Sequence, residues 1–317
     1  MRLGWYVLRR LGVGALLLVI ASFFVFSLLY ISPGRPEQIL LGGRPATPEI
    51  MAAIRAKYSL DDPFLVQYFR WFLEAIRFNF GESIVTDQPV TTVLAERSLP
   101  TLALSVAGLV LTMIIAVPAG MYAAAKRNKV GDRLVSMLTL LGMSAPTFAV
   151  GVLLLYVFGV ALAWFPVFGN GEGFGGQLQH LVLPAIALAV TQIAYVTRQT
   201  RAAALSVYGQ DYVTFARSRG LGRSLIWRRY ALLNSSLPIV TASGLLLAYT
   251  LAGAVLVEVT FSREGLGSLM LQAVQSKDIP VVQGLVAFAA VTVTLVNLGV
   301  DLINLAIDPR LRKEVIG

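Results

Sequence analysis

LGVGALLLVIASFFVFSLLYI, residues 11–31, follows Arg2, Arg9 and Arg10. A cationic start before an apolar run is also the form of a secretory signal peptide, whose apolar core is about 7–15 residues long. Here 21 positions pass without a charge. At about 1.5 Å per residue the run matches the roughly 30 Å hydrocarbon core of a bilayer. It therefore reads as a first spanning helix that stays in the membrane.

The rest of the chain agrees. Of 317 residues, 56% are hydrophobic and only 14% charged, with a mean hydropathy of +0.73. A soluble domain cannot hide that much apolar surface, so lipid must be the solvent for much of it. Five more apolar stretches of spanning length lie at about 99–124, 134–160, 181–197, 236–259 and 282–307. The expected fold is an all-α polytopic membrane protein with six transmembrane helices.

The distribution of Lys and Arg orients it. With the N-terminus inside, the short inner segments carry 17 basic residues and the short outer ones two, Arg263 and Lys277. Short-loop bias of this kind places both termini in the cytoplasm. The net charge of +9 is thus a topological signal rather than a nucleic-acid footprint. No cysteine and a single histidine, His180, exclude disulfides, thiolate chemistry and Cys/His metal sites. His180 reads as an interfacial or structural residue.

Residues 32–98 form an extracytoplasmic domain between spans 1 and 2. TPEIMAAIRAKY (47–58) begins with a Thr47 N-cap and Pro48 at the first helical position. Ile50, Ile54 and Tyr58 then fall on one face. PFLVQYFRWFLEAIRF (63–78) predicts a second helix, lying on the membrane surface or packed on span 1. GESIVTDQPV (81–90) reads as a turn or extended segment. The remaining organisation is residues 1–31 as N-terminus and span 1, 99–310 as the core, and 311–317 as a cytoplasmic tail.

Pro118, Pro146, Pro184 and Pro238 lie in or at the ends of spans, where each frees a carbonyl that needs another partner. Packing geometry explains such prolines, as does a hinge. Ser144, Pro146 and Thr147, in mid-span 3, form the strongest candidate for a locally opened, pathway-facing site. Gln192 and Asn297 are equally readable as interhelical hydrogen bonds or as substrate contacts. Glu258 is either a pathway residue or an outer-loop anchor, and Asp301 is expected to pair with an inner-loop arginine.

Between spans 4 and 5, DYVTFARSRGLGRSLIWRRYALLNSSLP (211–238) places five arginines within thirteen residues and no acid among them. Gly220 and Gly222 permit a sharp turn between short helices, and Leu221, Leu225 and Ile226 offer an apolar knob. The arginines can pair with acidic groups while their stems cover apolar surface. No G-x-x-x-x-G-K-[ST], H-E-x-x-H or G-x-S-x-G occurs, so any energy source for transport lies on another chain.

This loop resembles the EAA loop of ABC-importer permeases in its dipeptide/oligopeptide version, D-Y-V-x-x-A-R-(A/S)-(K/R)-G-L followed by L-P. The matching residues are Asp211, Tyr212, Val213, Ala216, Arg217, Ser218, Arg219, Gly220, Leu221 and Leu237-Pro238. The similarity extends through Ser59–Tyr68, Pro89–Leu102, Glu258–Gly267, Asp278–Gly284, Asn297, Asp301 and Asp308-Pro309-Arg310, the arrangement of the B-type permease. Arg263-Glu264 departs from a Trp-Pro or similar pair common in relatives.

The resemblance implies a subunit of an ATP-driven importer in a bacterial or archaeal plasma membrane. Its partners would be a second homologous permease, two ABC ATPases and an extracytoplasmic peptide-binding protein, besides membrane lipid. ATP and Mg belong to the ATPases, and this chain carries neither catalytic residue nor cofactor. The loop at 205–235 would hold the ATPase-coupling helix, formed by Asp211, Tyr212, Ala216, Arg217, Arg219, Gly220, Leu221, Gly222 and Leu225. Relatives of similar sequence also carry nickel chelates, glutathione or oligosaccharides. A stand-alone channel or secondary transporter is the reading from a different class.

Overall fold

The computed structural model describes residues 2–31, 35–41 and 47–307. The expected tail and Asp308-Pro309-Arg310 lie outside them. Among the described residues regular structure is helical, apart from one antiparallel bridge between Glu82 and Pro89. That bridge closes the segment expected as a turn.

Among the described residues five helices are long and apolar enough to cross a membrane, or six if one bent pair counts as a single span. They are α1 (Arg2–Ile31), α5 (Val90–Ala125), α8 (Gly173–Tyr208), α11 (Leu233–Gly253) with the helical turns that precede it, and α14 (Ile279–Ile307). The bent pair is α6 (Val130–Ser144) and α7 (Thr147–Leu154), which continues as a π-helical turn, Leu155–Ala161.

The frame is α5 packed along α8. Each has 36 residues, or about 54 Å of helix, more than a bilayer requires. Small residues let the backbones approach: a Cβ on Gly120 would lie 2.7 Å from the Thr197 carbonyl oxygen. Pro100 and Pro118 in α5, Pro184 in α8 and Pro238 in α11 all sit inside continuous helix.

Pro146 behaves differently. Ala145 before it is extended (ψ 120°), as the ring of a following proline favours. The two helices on either side diverge by 96°. The span expected over 134–160 is thus broken at the Ser144–Thr147 cluster.

Of the segments between α1 and α5, α2 (Pro36–Leu41) and α3 (Pro48–Tyr58) pack together. Thr47 caps α3 by accepting from the Ile50 N–H, as the sequence predicts. Ile54 and Tyr58 pack against Leu29, Leu40 and Ile279, but Ile50 is exposed and does not share that contact. Helix α4 (Phe64–Ile76) lies on α1. Phe64 and Tyr68 stack against Phe23, Phe26 and Tyr30 with centroids 5.0–5.8 Å apart, and the Tyr68 and Ser22 hydroxyls are hydrogen-bonded. Its other face exposes Leu65, Phe69 and Leu73, at helical spacing.

The bundle has two poles. One, here the basic pole, carries the Arg-rich loop: α9 (Asp211–Ser218), α10 (Arg223–Leu225) and a π-helical turn, Ile226–Leu232. The other, the far pole, carries α2–α4, α12 (Val255–Thr260) and α13 (Leu266–Gln275). At the far pole Asp278 is buried, and Ser83 Oγ and the Ile84 N–H donate to its carboxylate at 2.5 and 3.2 Å. This joins the segment before α5 to the start of α14.

Candidate functional site

Helix α9 has two unlike faces. Val213 and Ala216, three residues apart, are buried against Met121 and Ala124 of α5 and Ala204 and Val207 of α8. Tyr212 and Phe215 point outward, and Phe215 is 61% exposed. Arg219 lies over the Phe215 ring at 5.1 Å, and Arg217 over the Tyr208 ring at 5.8 Å. Asp211, at the first helical position, complements the positive end of the helix.

The helix ends in a Schellman turn. The Gly220 N–H donates to the Arg217 carbonyl and the Leu221 N–H to the Ala216 carbonyl. Gly220 has φ +77°, where glycine is at home. Gly222 is different: its φ of −62° suits any residue, and it starts α10.

The expected apolar knob divides accordingly. Leu225 is exposed, Leu221 is half-buried against the cluster under α9, and Ile226 is 4% exposed within that cluster. Ile226 therefore anchors the loop to its own chain rather than offering itself outward. Phe215 was not among the coupling residues read from the sequence, although it follows Tyr212 by three positions, a spacing that places both on one face.

Beside this loop, Asp132 of α6 holds Arg201 of α8 in a two-pronged ion pair at 2.6 and 2.8 Å. Asp132 also accepts from the Asn128 N–H at 2.9 Å. Asp132 is nearly fully buried and Arg201 about one-third exposed. Removing one partner strands a charge, whereas removing both does not. Asp132→Ala is expected to cost about 1–3 kcal/mol, discounted for the exposure of Arg201. Asp132→Ala with Arg201→Ala should cost less than the first change alone, as read from thermal unfolding of the purified protein; equal or greater loss would exclude the pair as a clamp.

Among the described residues, those read as pathway candidates make their contacts in different parts of the bundle. Thr147 Oγ1 lies 3.2 Å from Thr191 Oγ1 across the break, and the exposed Ser144 bonds back to the Leu140 carbonyl. Gln192 is buried and accepts from the Thr112 hydroxyl at 3.1 Å, joining α8 to α5. Asn297 is exposed on α14. Asp301 forms the expected ion pair with an arginine, Arg10 of the N-terminal segment, at 3.0 Å.

Glu258, on α12, is 1% exposed. The Thr101 hydroxyl donates to it at 2.5 Å and the Ser268 N–H at 3.0 Å. The carboxylate thus ties α5, α12 and α13 together, the geometry of an outer-loop anchor. Nearby, burial pulls the Arg263 guanidinium below its ordinary pKa, while the Glu258 charge opposes the shift. Arg263 donates to the His180 carbonyl at 3.2 Å, giving His180 a structural place beside that anchor.

Long helices around a broken span, with a short amphipathic helix laid across the basic pole, describe a membrane subunit of an ABC importer. Inward-facing structures of the MetNI methionine ABC transporter share this fold: TM-scores are 0.55 and 0.59 at 17% and 18% identity, covering 68% of this chain and 96% of theirs. Residues 116–313 match the profile of the binding-protein-dependent transport system inner membrane component, and residues 3–107 match its N-terminal membrane-component profile. A probable peptide ABC transporter permease of Sinorhizobium fredii is 34% identical over 313 residues, covering 98% of this chain and all of that one. A putative peptide transport system permease of Brucella abortus is 35% identical (97% and 99% covered), and the glutathione transport system permease of Escherichia coli K12 is 34% identical (97% and 98% covered). The chain belongs to the binding-protein-dependent transport system inner membrane component family, as an ABC permease of the peptide and glutathione type. It is a multi-pass protein of the plasma membrane.

Proposed function

We propose that this chain forms half of the translocation pathway for di- or oligopeptides, beside a second homologous permease. An extracytoplasmic binding protein delivers the cargo, and two ATPases, which hold the ATP and Mg, drive the cycle. In this reading the chain crosses the membrane six times with both ends in the cytoplasm, and residues 32–98 lie outside. The basic pole faces the cytoplasm.

The observation that carries the proposal is the two-faced α9. Its buried face is keyed to α5 and α8, while Tyr212, Phe215 and the arginines are presented outward. A rigid helix can transmit an ATPase movement to the spans; a solvated loop cannot. Aromatic and arginine side chains are also the residues that dominate protein interfaces.

Purification of the chain from native membrane through an affinity tag should bring down two ATPases, a second permease and a binding protein. Phe215→Asp, a change at an exposed position, should lower the co-purified ATPase at least tenfold while leaving the amount of this chain unchanged. Undiminished ATPase would refute the docking role of α9. Solute flux through the purified chain alone, without ATP, would instead establish a self-contained channel.

Cargo is decided by the binding protein in this scheme. The named glutathione relative gives a specific second reading, since glutathione is itself a small peptide. The solute retained by the co-purified binding protein distinguishes the two.

A further inference from the structure

A cavity of about 620 Å³ opens between α6 and α8 at the basic pole. This is within the size range of small-molecule sites. Leu140 and Met143 form its apolar side, and Ser136, Thr139, Tyr195 and Gln199 supply hydroxyl and amide groups. Two arginines border it, and they are not equivalent.

Arg201 is neutralised by Asp132. Among the described residues Arg198 pairs with no carboxylate; its hydrogen-bond partner there is the Met143 thioether at 3.3 Å. Sulfur is a weak acceptor and leaves most of the five guanidinium donors free. Among the described residues no acid lines the cavity, and the carboxylate that neutralises Arg201 stands outside its lining, so the charge of Arg198 is left uncompensated.

The cavity also continues a polar track. Thr191, Tyr195 and Arg198 follow one another at i, i+4 and i+7, one face of α8 over about 10 Å. At its upper end Thr191 meets Thr147 across the break in span 3. A face turned to acyl chains has no use for such a stripe. Three extended residues of a peptide also measure about 10 Å.

We propose that this cavity is a binding site for a solute with a free carboxylate, held on Arg198. On the peptide-importer reading, on which this inference rests, the solute is the cargo near its cytoplasmic exit and the group is its C-terminal carboxylate. The guanidinium fork receives the carboxylate through two N–H donors, and Tyr195 and Gln199 offer hydrogen bonds to the peptide backbone. An amidated C-terminus leaves Arg198 without an anionic partner.

The test uses the transporter purified from native membrane on a tag carried by this chain, placed in nanodiscs of phosphatidylcholine. Equilibrium dialysis with radiolabelled trialanine and with trialanine amide measures binding without turnover. The free acid is expected to bind at least fivefold more tightly than the amide. Arg198→Gln should reduce the acid to the level of the amide and leave the amide unchanged, while Arg198→Lys should keep most of the difference. Equal binding of acid and amide, or an unchanged preference in Arg198→Gln, overturns the proposal. So does loss of trialanine binding when the nanodiscs contain phosphatidylglycerol, which would assign the cavity to a lipid phosphate. The chains that accompany the tagged protein are identified in the same preparation. ATPases present without carboxylate preference defeat this site alone; carboxylate preference without ATPases defeats the importer reading instead.

Discussion

Glu258→Ala is expected to lower the unfolding midpoint of the purified chain by at least about 5 °C, corresponding to about 3 kcal/mol. The residue is 1% exposed and its carboxylate is hydrogen-bonded to two different helices. Thr101 of α5 donates to one oxygen and the Ser268 N–H of α13 to the other. Thr101 in turn accepts from the Leu266 N–H at 2.8 Å. Alanine would leave these buried donors unmatched, at about 1–3 kcal/mol for each that water cannot reach. It would also open a void, because Gly265 lies so close to the carboxylate that a Cβ on it would overlap it, and Gly267 also packs beside it. Glu258→Gln keeps an acceptor for one donor but turns an NH2 toward the other, so its loss should be smaller. If alanine and glutamine variants melted with the parent, the carboxylate would not hold the far pole together.

Much of this arrangement was legible in the chain, and the limit is physical. Apolar runs of spanning length reveal helices because lipid cannot satisfy an exposed backbone. Hence α1, α5, α8, α11 and α14 lie where the runs are. Proline was a weaker guide. Pro118, Pro184 and Pro238 stay within helices, and Pro146 breaks one. The residue type is the same in all four. At Pro184 the freed carbonyl, that of His180, accepts from Arg263, a contact far away in sequence that the residue type does not announce. The π-helical turns at Leu155–Ala161 and Ile226–Leu232 left no signal for the same reason.

Glu258 illustrates a different gap. Its cost in an apolar setting was evident, but its role depended on which groups face it, and these come from residues 101 and 268. The Arg-rich loop was legible by composition and spacing, while its orientation was not. Ala216 and Ile226 turn inward and Phe215 outward because of how α9 meets α5 and α8. A pattern of matching residues treats all of them alike.

The two glycines of that loop give the sharpest expected contrast. Gly220→Val should reduce uptake of a labelled tripeptide at least tenfold in cells that depend on this chain, while Gly222→Ala should leave it within about twofold. Space does not separate them, since a Cβ on either would meet nothing within 4 Å. Backbone conformation does. Gly220 sits at φ +77°, where an ordinary side chain costs roughly 1–2 kcal/mol and a β-branched one more. That residue also carries the turn whose Leu221 N–H closes onto Ala216. Valine there favours a different exit from α9, which redirects Leu221 away from the cluster of Met121, Val207 and Ile226. The outward face of α9 would then lose its fixed relation to α5 and α8. Gly222 already has the φ of an ordinary residue, so alanine removes freedom only from the unfolded chain. Immunoblotting of membranes separates lost coupling from lost protein: Gly220→Val should be present at near-normal level but inactive. Full activity in Gly220→Val would mean that the turn, and with it the rigid seating of α9, is dispensable for transport.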